Sequence, residues 1–440
     1  MLIEIKPVTR IEGHLHAYIE IGRDDVRVQL RAGGFRGFER ILIGRPIEEA
    51  PHIAPRICGV CPVAHHLASA KAVDALLGVD IPRAARIVRE IMGLGGVAQS
   101  HLLHLGFLIY PDIEYGRGSD AYSAPLFKKL VTLRRRAVRI VDVSGGRHVH
   151  PFNAVPGGVL KLFSREDIEV LKTEVEYGLK LLGEVYGDIV ERVEKFIEDN
   201  ADAMPCRGVP MAALAGNGKG IEMYDGVVKV VMDNTNLLFR PNEYMKYVVE
   251  ESIDYSYSKR VYIDVDGVRK IFRVGPLPRL LTSQEMPYDA SRKFYRDFEL
   301  LNSRWPLHPL VYNLARIVEI AYCFERIAEL LNELQNVQAL PRTKVELKKG
   351  EGIGIVEAPR GLLIHHYKCN GNGVITYANI ITPTTVNIPV MEYDIREMVK
   401  LLIDRHVDDA ENIKRRILYL VRSYDPCVSC ATHTIHIAKR

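Results

Sequence analysis

Arg56-Ile57-Cys58-Gly59-Val60-Cys61-Pro62-Val63-Ala64-His65 stands near one end of this chain, and Asp425-Pro426-Cys427-Val428-Ser429-Cys430-Ala431-Thr432-His433 near the other. Each Cys-x-x-Cys presents two thiolates on one tight turn, the ligand spacing for a soft or borderline metal. Four thiolates brought together from segments so far apart would clamp a metal and cross-link the fold between them.

Composition decides how these cysteines are to be understood. Of the 440 residues, 47% are hydrophobic and 26% charged, which supplies a sizeable core and argues against disorder. A formal net charge of +4, from 59 basic and 55 acidic residues, is too mild to argue for nucleic acid. Met1-Leu2-Ile3-Glu4-Ile5-Lys6-Pro7 lacks the basic-then-apolar pattern of a secretory signal. No uninterrupted apolar run approaches the roughly 20 residues of a membrane helix. These readings predict a cytoplasmic chain with no direct membrane insertion. Seven cysteines, an odd count in such a chain, favour reduced thiols and metal over disulfides. Cys206, Cys323 and Cys369 are isolated and read as small buried apolar residues.

Between the motifs the pattern is continuous, with no flexible linker and no internal repeat. Residues 16–21 and 26–30 alternate in period two around Gly22-Arg23-Asp24-Asp25, which predicts a β-hairpin. Apolar positions repeat at three and four over 82–109, 120–143, 166–200 and 309–331, which predicts long helices. Residues 260–274 have strand composition folded about Asp266-Gly267, a favoured two-residue turn. Strand character returns at 354–356 and 374–381, and helical patterns then run until Asp425-Pro426 stops them. The expected class is α+β and helix-dominated, a long central helix bundle with small peripheral β-sheets. The chain reads as one large domain over 1–440, with a β-rich segment at 1–60 and a metal-binding segment at 425–440.

Paired Cys-x-x-Cys motifs most often make closed, structural zinc sites. Such knuckles usually lie close together, whereas 366 positions separate Cys61 from Cys427 (427 minus 61). A chain of this size needs no staple to build a core. Polar neighbours that structural zinc does not require also flank both pairs: Arg56, His65, Asp425 and His433. Structural zinc and a reactive metal centre both remain open on these residues alone.

Both motifs resemble those of the large, catalytic subunit of nickel–iron hydrogenases. So do Arg10-Ile11-Glu12-Gly13-His14, Phe35-Arg36-Gly37-Phe38-Glu39, Glu357-Ala358-Pro359-Arg360-Gly361 and Pro383-Thr384-Thr385, in the family's order from about residue 5 to 433. Arg45-Pro46-Ile47-Glu48-Glu49-Ala50-Pro51 and His365-His366 look closest to the cytosolic archaeal type that does not reduce deazaflavin.

The resemblance implies reversible heterolytic cleavage of H2 at a nickel held by Cys58, Cys61, Cys427 and Cys430. Cys61 and Cys430 match the ligands shared with an iron that carries cyanide and carbon monoxide. Cys427 matches the terminal thiolate that takes the proton, and Glu12 the carboxylate that relays it. Arg360 matches the arginine over the open face of the metals, with Asp112 and Asp425 as the acids that hold it. A guanidinium in so apolar a segment is expensive to bury without such partners. Thr384 matches a hydroxyl donor to cyanide. Pro359 and Leu363 match residues against the iron's ligands, Leu363 packing on carbon monoxide. His65 is expected to hydrogen-bond a cysteine sulfur. Glu39, His433 and the carbonyl of Ile380 match the ligands of a magnesium (or iron) site, a donor set suited to a hard octahedral ion.

The remaining isolated cysteines cannot carry electrons away, so the resemblance implies a small iron–sulfur subunit, with further electron-transfer subunits beyond it. Two departures stand out: only seven residues follow His433, and Val386 stands where many relatives carry tryptophan. An H2 sensor, or a structural subunit like those of respiratory complex I, would share this fold; all four nickel-type cysteines count against the latter.

Overall fold

The computed structural model describes residues 1–23, 25–114, 120–201, 208–216, 220–232, 235–283, 285–407 and 409–432. Among these, the predicted long helices form the centre. Arg83–Leu103, Pro125–Gly145, Arg165–Asn200 and Tyr312–Leu334 pack side by side, with Asp289–Arg304 laid against the last. Each boundary has a local cause. Pro125 sits in the first turn of its helix, where its missing N–H costs nothing, so that helix starts five residues later than periodicity suggests. Ser164 and Asp167 form a reciprocal capping box that starts the longest helix. The apolar helix Arg83–Leu108 is long enough to cross a membrane, but 78% of its most apolar window is buried, as expected of a core helix.

The sheets are small, separate and antiparallel, and the one nearest the cysteines is buried and not peripheral as expected. Leu2–Ile5, His14–Ile21 and Val26–Gly33 form the N-terminal one, with the predicted period-two burial. Arg260–Val265 and Val268–Lys270 pair across Asp266-Gly267, both with positive φ as that turn requires. Gly350–Ala358, Gly361–Cys369 and Ile375–Ile381 form a three-stranded meander. Its first strand begins four residues before its sequence signal, because glycines occupy every second position there. Those glycines face the helix Pro62–Leu77. A Cβ on Gly352 would lie 2.2 Å from the Ala72 carbonyl oxygen, and one on Gly354 2.2 Å from that of Ala68. Helix and strand therefore meet backbone to backbone. The helix carries Cys61 at its N-terminus, and the strand ends in the two-residue turn Pro359-Arg360.

The predicted terminal stop is also present. The helix Ala410–Tyr424 ends on Asp425 in the left-handed conformation, after which Val428–Ala431 makes one further turn. Pro383–Asp404, by contrast, is a helix from its first residue, so Thr384 lies in a helical first turn and not on a strand. Val386 is buried in an apolar cluster with Leu362, Ile364 and Ile381. Cys323 and Cys369 are buried as expected, while Cys206 lies outside the described residues.

Replacing Gly354 with alanine is expected to destabilise the fold by about 2 kcal/mol or more, since backbone atoms cannot yield as a side chain can. Gly371→Ala, where a Cβ meets nothing within 4 Å, serves as the control and should leave the melting temperature unchanged. Equal melting temperatures for the two variants would show that the helix–strand contact is not tight.

Candidate metal centre

The short helical turn Ala54–Ile57 releases the chain at Cys58, whose sulfur accepts the backbone N–H groups of Val60 (3.3 Å) and Cys61 (3.4 Å). Cys427 precedes the turn Val428–Ala431 and donates its backbone N–H to Thr384 Oγ1 at 2.9 Å. The two pairs converge. Cys58 and Cys427 sulfurs are 3.1 Å apart, Cys61 and Cys430 3.3 Å, Cys427 and Cys430 2.7 Å, and all four lie within 4.8 Å of one another and are buried. Four sulfurs so placed fit one central cation at metal–sulfur distances of about 2.3 Å.

Their proton affinities diverge. Hydrogen bonds from Cys427, Cys430 and Cys61 hold Cys58 well below the ordinary thiol value, whereas burial pushes Cys427 and Cys430 well above it. Such a cluster readily yields one thiolate and keeps its other protons until a cation compensates the charge.

A small cavity adjoins the cluster, lined by Cys61, Cys427 and Cys430 but not Cys58, and closed by Ala358, Arg360, Leu363, Pro383 and Thr384. It supplies room beside the sulfurs for a second metal and its non-protein ligands. The Thr384 hydroxyl accepts from Cys427 and so keeps its own proton for donation. Pro359 lies outside this cavity; it lines a larger one that also reaches Cys61, and its carbonyl accepts from Arg279 (3.2 Å).

Arg360 extends from the hairpin tip into the site. Its Nη2 donates to Asp425 Oδ1 at 2.9 Å, its Nε to the Asp425 carbonyl and its Nη1 to Ser100 Oγ at 3.4 Å. Burial alone would raise the Asp425 pKa, but Arg360, aided by His104 and Arg316, holds it well below the usual range. Asp112 is a correction. Its carboxylate is occupied by Arg10 and by both contacts of Arg422 Nη1 (2.9 and 3.0 Å), so it braces the N-terminal segment against the last long helix and does not hold Arg360.

Glu12 meets the site through main chain and side chain alike. Its carbonyl accepts from Val428 N at 2.9 Å, and its Oε2 accepts from the Cys427 thiol at 3.0 Å and from Ser429 N at 3.0 Å. Ser429 Oγ donates to the other carboxylate oxygen at 2.5 Å. Gly13 (φ +82°) permits this approach, since a Cβ there would lie 2.8 Å from Ser429 N. His65 Nε2 lies 3.4 Å from the Cys430 sulfur, as expected. Glu39 is buried and accepts the Ile380 backbone N–H at 2.8 Å, whereas His433 and the tail lie outside the described residues.

Several supporting residues escaped sequence reading. Arg279 bonds both Glu319 oxygens (2.6 and 2.7 Å), Glu357 (2.7 Å) and the carbonyls of Ala358 and Pro359, fixing the hairpin that presents Arg360. His101 Nε2 donates to Glu319 at 2.7 Å. Arg316 and Glu319, the two charged residues in the continuously buried half, Tyr312 to Phe324, of the helix Tyr312–Leu334, were the available signal.

The fold and the four-thiol pocket define a metal-binding protein with a reaction-sized cavity beside its metal. A family model for nickel-dependent hydrogenases matches residues 36–112 and 223–433. One subunit of the F420-non-reducing hydrogenase of Methanothermobacter marburgensis is 38% identical over 98% of this chain and 95% of its own length. The alpha subunit of sulfhydrogenase 1 from Pyrococcus furiosus is 32% identical over 99% of this chain and 98% of its own. The crystal structure of an NAD+-reducing NiFe-hydrogenase, in the H2-reduced state, superposes with a TM-score of 0.88 at 30% identity, covering 98% of this chain and 99% of that one. The chain belongs to the nickel-dependent hydrogenase family, and its chemistry is that of an oxidoreductase acting on H2. Structural zinc alone is thereby set aside.

The buried network makes the protein acid-sensitive. Burial lowers the His101 pKa to about 4, and Arg279 lowers that of Glu319 to about 2 against the opposing effect of burial. An unfolded chain would bind the His101 proton near pH 6.5, so this stability is complete above pH 6.5 and is lost as pH falls towards 4. The Glu319 contribution is lost lower still, below about pH 4.5, with the same sign. Melting temperature should therefore fall on acidification from about pH 7 to about pH 4; a flat profile would contradict the neutral state of His101.

Proposed function

We propose that this chain carries a nickel–iron centre, its iron bearing cyanide and carbon monoxide, which Cys58, Cys61, Cys427 and Cys430 would hold. The cavity beside Cys61, Cys427 and Cys430 leaves room for the second metal and supports this reading. When bound, the metal pair supplies the redox and Lewis-acid chemistry for splitting H2.

The single observation that carries the proton side is the contact between Glu12 and the Cys427 sulfur. Cys427 takes the proton, and Glu12 receives it across 3.0 Å, held in register by Ser429. Proton transfer needs this hydrogen-bond reach before any matching of pKa values matters. Arg360, kept cationic by Asp425 and the nearby sulfurs against the cost of burial, orients ligands in the cavity. Thr384 donates its hydroxyl there and Leu363 excludes water, while Pro359 lines the larger neighbouring cavity. Glu39, the Ile380 carbonyl and His433 would hold a magnesium ion.

Electrons leave through a separate iron–sulfur subunit, then through further electron-transfer subunits, in the cytoplasm. Cys323 and Cys369, the other described cysteines, are isolated and buried, and support no cluster of their own. Exposed Val149 and Phe152 flank a basic surface at Arg147 and His150. Burial and the charges of Arg56 and Arg147 lower the His150 pKa, and the Cys58 sulfur also acts on it. A docking face beside Cys58 would keep the electron gap short.

Infrared absorption of the purified complex is expected to contain cyanide and carbon monoxide bands, with nickel and iron in equal amounts. Glu12→Gln should abolish exchange between H2 and D+ by at least about 100-fold, the usual scale of a lost general acid–base group, with both metals retained. Exchange that persists in this variant would mean that the proton leaves by another path.

A further inference from the structure

A line of buried hydrogen bonds runs from the Cys430 sulfur away from Glu12. His65 Nε2 faces Cys430 at 3.4 Å, His65 Nδ1 meets His365 Nε2 at 3.0 Å, and His365 Nδ1 meets the Tyr367 hydroxyl at 2.5 Å. That hydroxyl also has Ser69 Oγ within donating reach, at 3.1 Å. The line has a simple basis in the fold. His65 and Ser69 are one turn apart on the helix Pro62–Leu77, and His365 and Tyr367 are alternate residues on one face of the strand Gly361–Cys369. His65 is 1% exposed and the other three are fully buried.

We propose that Tyr367 is a positioning residue: its hydroxyl sets the tautomers of His365 and His65, so that an imidazole N–H points at the Cys430 sulfur. Donor counting leads there, given the nickel–iron reading above on which it rests. A metal-bound thiolate has no proton, so His65 must present N–H to it. Neutral His65 then offers only a lone pair at Nδ1, which requires N–H at His365 Nε2. His365 in turn offers only a lone pair at Nδ1, and the Tyr367 hydroxyl satisfies it by turning its one proton from Ser69, at 3.1 Å, to this closer acceptor at 2.5 Å. Burial pushes the Tyr367 pKa well up, so the hydroxyl keeps its proton. Without it both rings can turn to the other tautomer, and His65 then offers Cys430 a lone pair. The sulfur loses a donor and pushes more electron density onto the metals.

The test is infrared spectroscopy of the purified hydrogenase complex. Tyr367→Phe is expected to shift the cyanide and carbon monoxide bands to lower frequency, the direction also expected for His65→Phe, with nickel and iron content unchanged. Tyr244→Phe removes a similar buried phenol, 2.8 Å from His366 Nδ1 on the opposite sheet face, and should leave the bands in place. Unshifted bands in a fully metallated Tyr367→Phe complex would overturn the proposal, as would an equal shift in Tyr244→Phe. If Tyr367→Phe fails to take up metal, 3-fluorotyrosine at position 367 keeps the shape and strengthens the donor. Its bands should rise in frequency, and unmoved bands would again overturn the proposal. A wild-type complex with no such bands would instead refute the nickel–iron reading.

Discussion

Four sulfur atoms held together in a dry interior constitute the constraint to which the rest of this structure answers. As thiolates without a cation they would repel one another at a prohibitive cost. As thiols they are tolerable, and burial keeps protons on Cys427 and Cys430. Binding of metal is therefore coupled to loss of protons, and both are coupled to the rigidity of the surrounding backbone. That rigidity comes from regular elements: one pair leads into a helix packed on a glycine-lined strand, and the other follows the stop of the last long helix.

The cationic side of the site is balanced with equal care. Arg360 faces Asp425, and Arg279 spreads its donors over two carboxylates and two carbonyls. A two-residue turn has little stiffness of its own. With both its preceding carbonyls clamped from behind, Arg360 is delivered to one position. Arg316 is the outlier: it is fully buried, its Nη1 donates to Asn313 at 3.3 Å, and its Nε and Nη2 meet no acceptor among the described residues. Burial lowers its pKa to about 10. It adds positive potential behind Asp425 and helps keep that carboxylate ionised.

Much of this is legible without coordinates. The long helices announce themselves by apolar periodicity, the hairpin at 266–267 by Asp-Gly, and the metal ligands by spacing. What stays hidden depends on tertiary approach. The strand Gly350–Ala358 outruns its sequence signal, because glycines that serve helix contact carry no strand signal. Asp112 has the chemistry to hold Arg360, yet two other arginines, Arg10 and Arg422, are nearer in space though far in sequence. No local pattern ranks rival ion-pair partners separated by hundreds of residues. The Arg279 network is obscure for the same reason, its members coming from four separate elements.

The main-chain bridge between Glu12 and Cys427–Val428 has a consequence for biosynthesis. It joins residues from the two extremities of the chain, and the cysteine cluster closes a loop of nearly the same span. Loop closure of that size carries a large entropic cost and makes no progress during translation. Until residues 427–430 are made, the helical centre can form but the pocket has only half of its sulfurs. The four-thiol site is thus completed late, and the segment that brings Cys427 and Cys430 against Cys58 and Cys61 is the piece that shuts it.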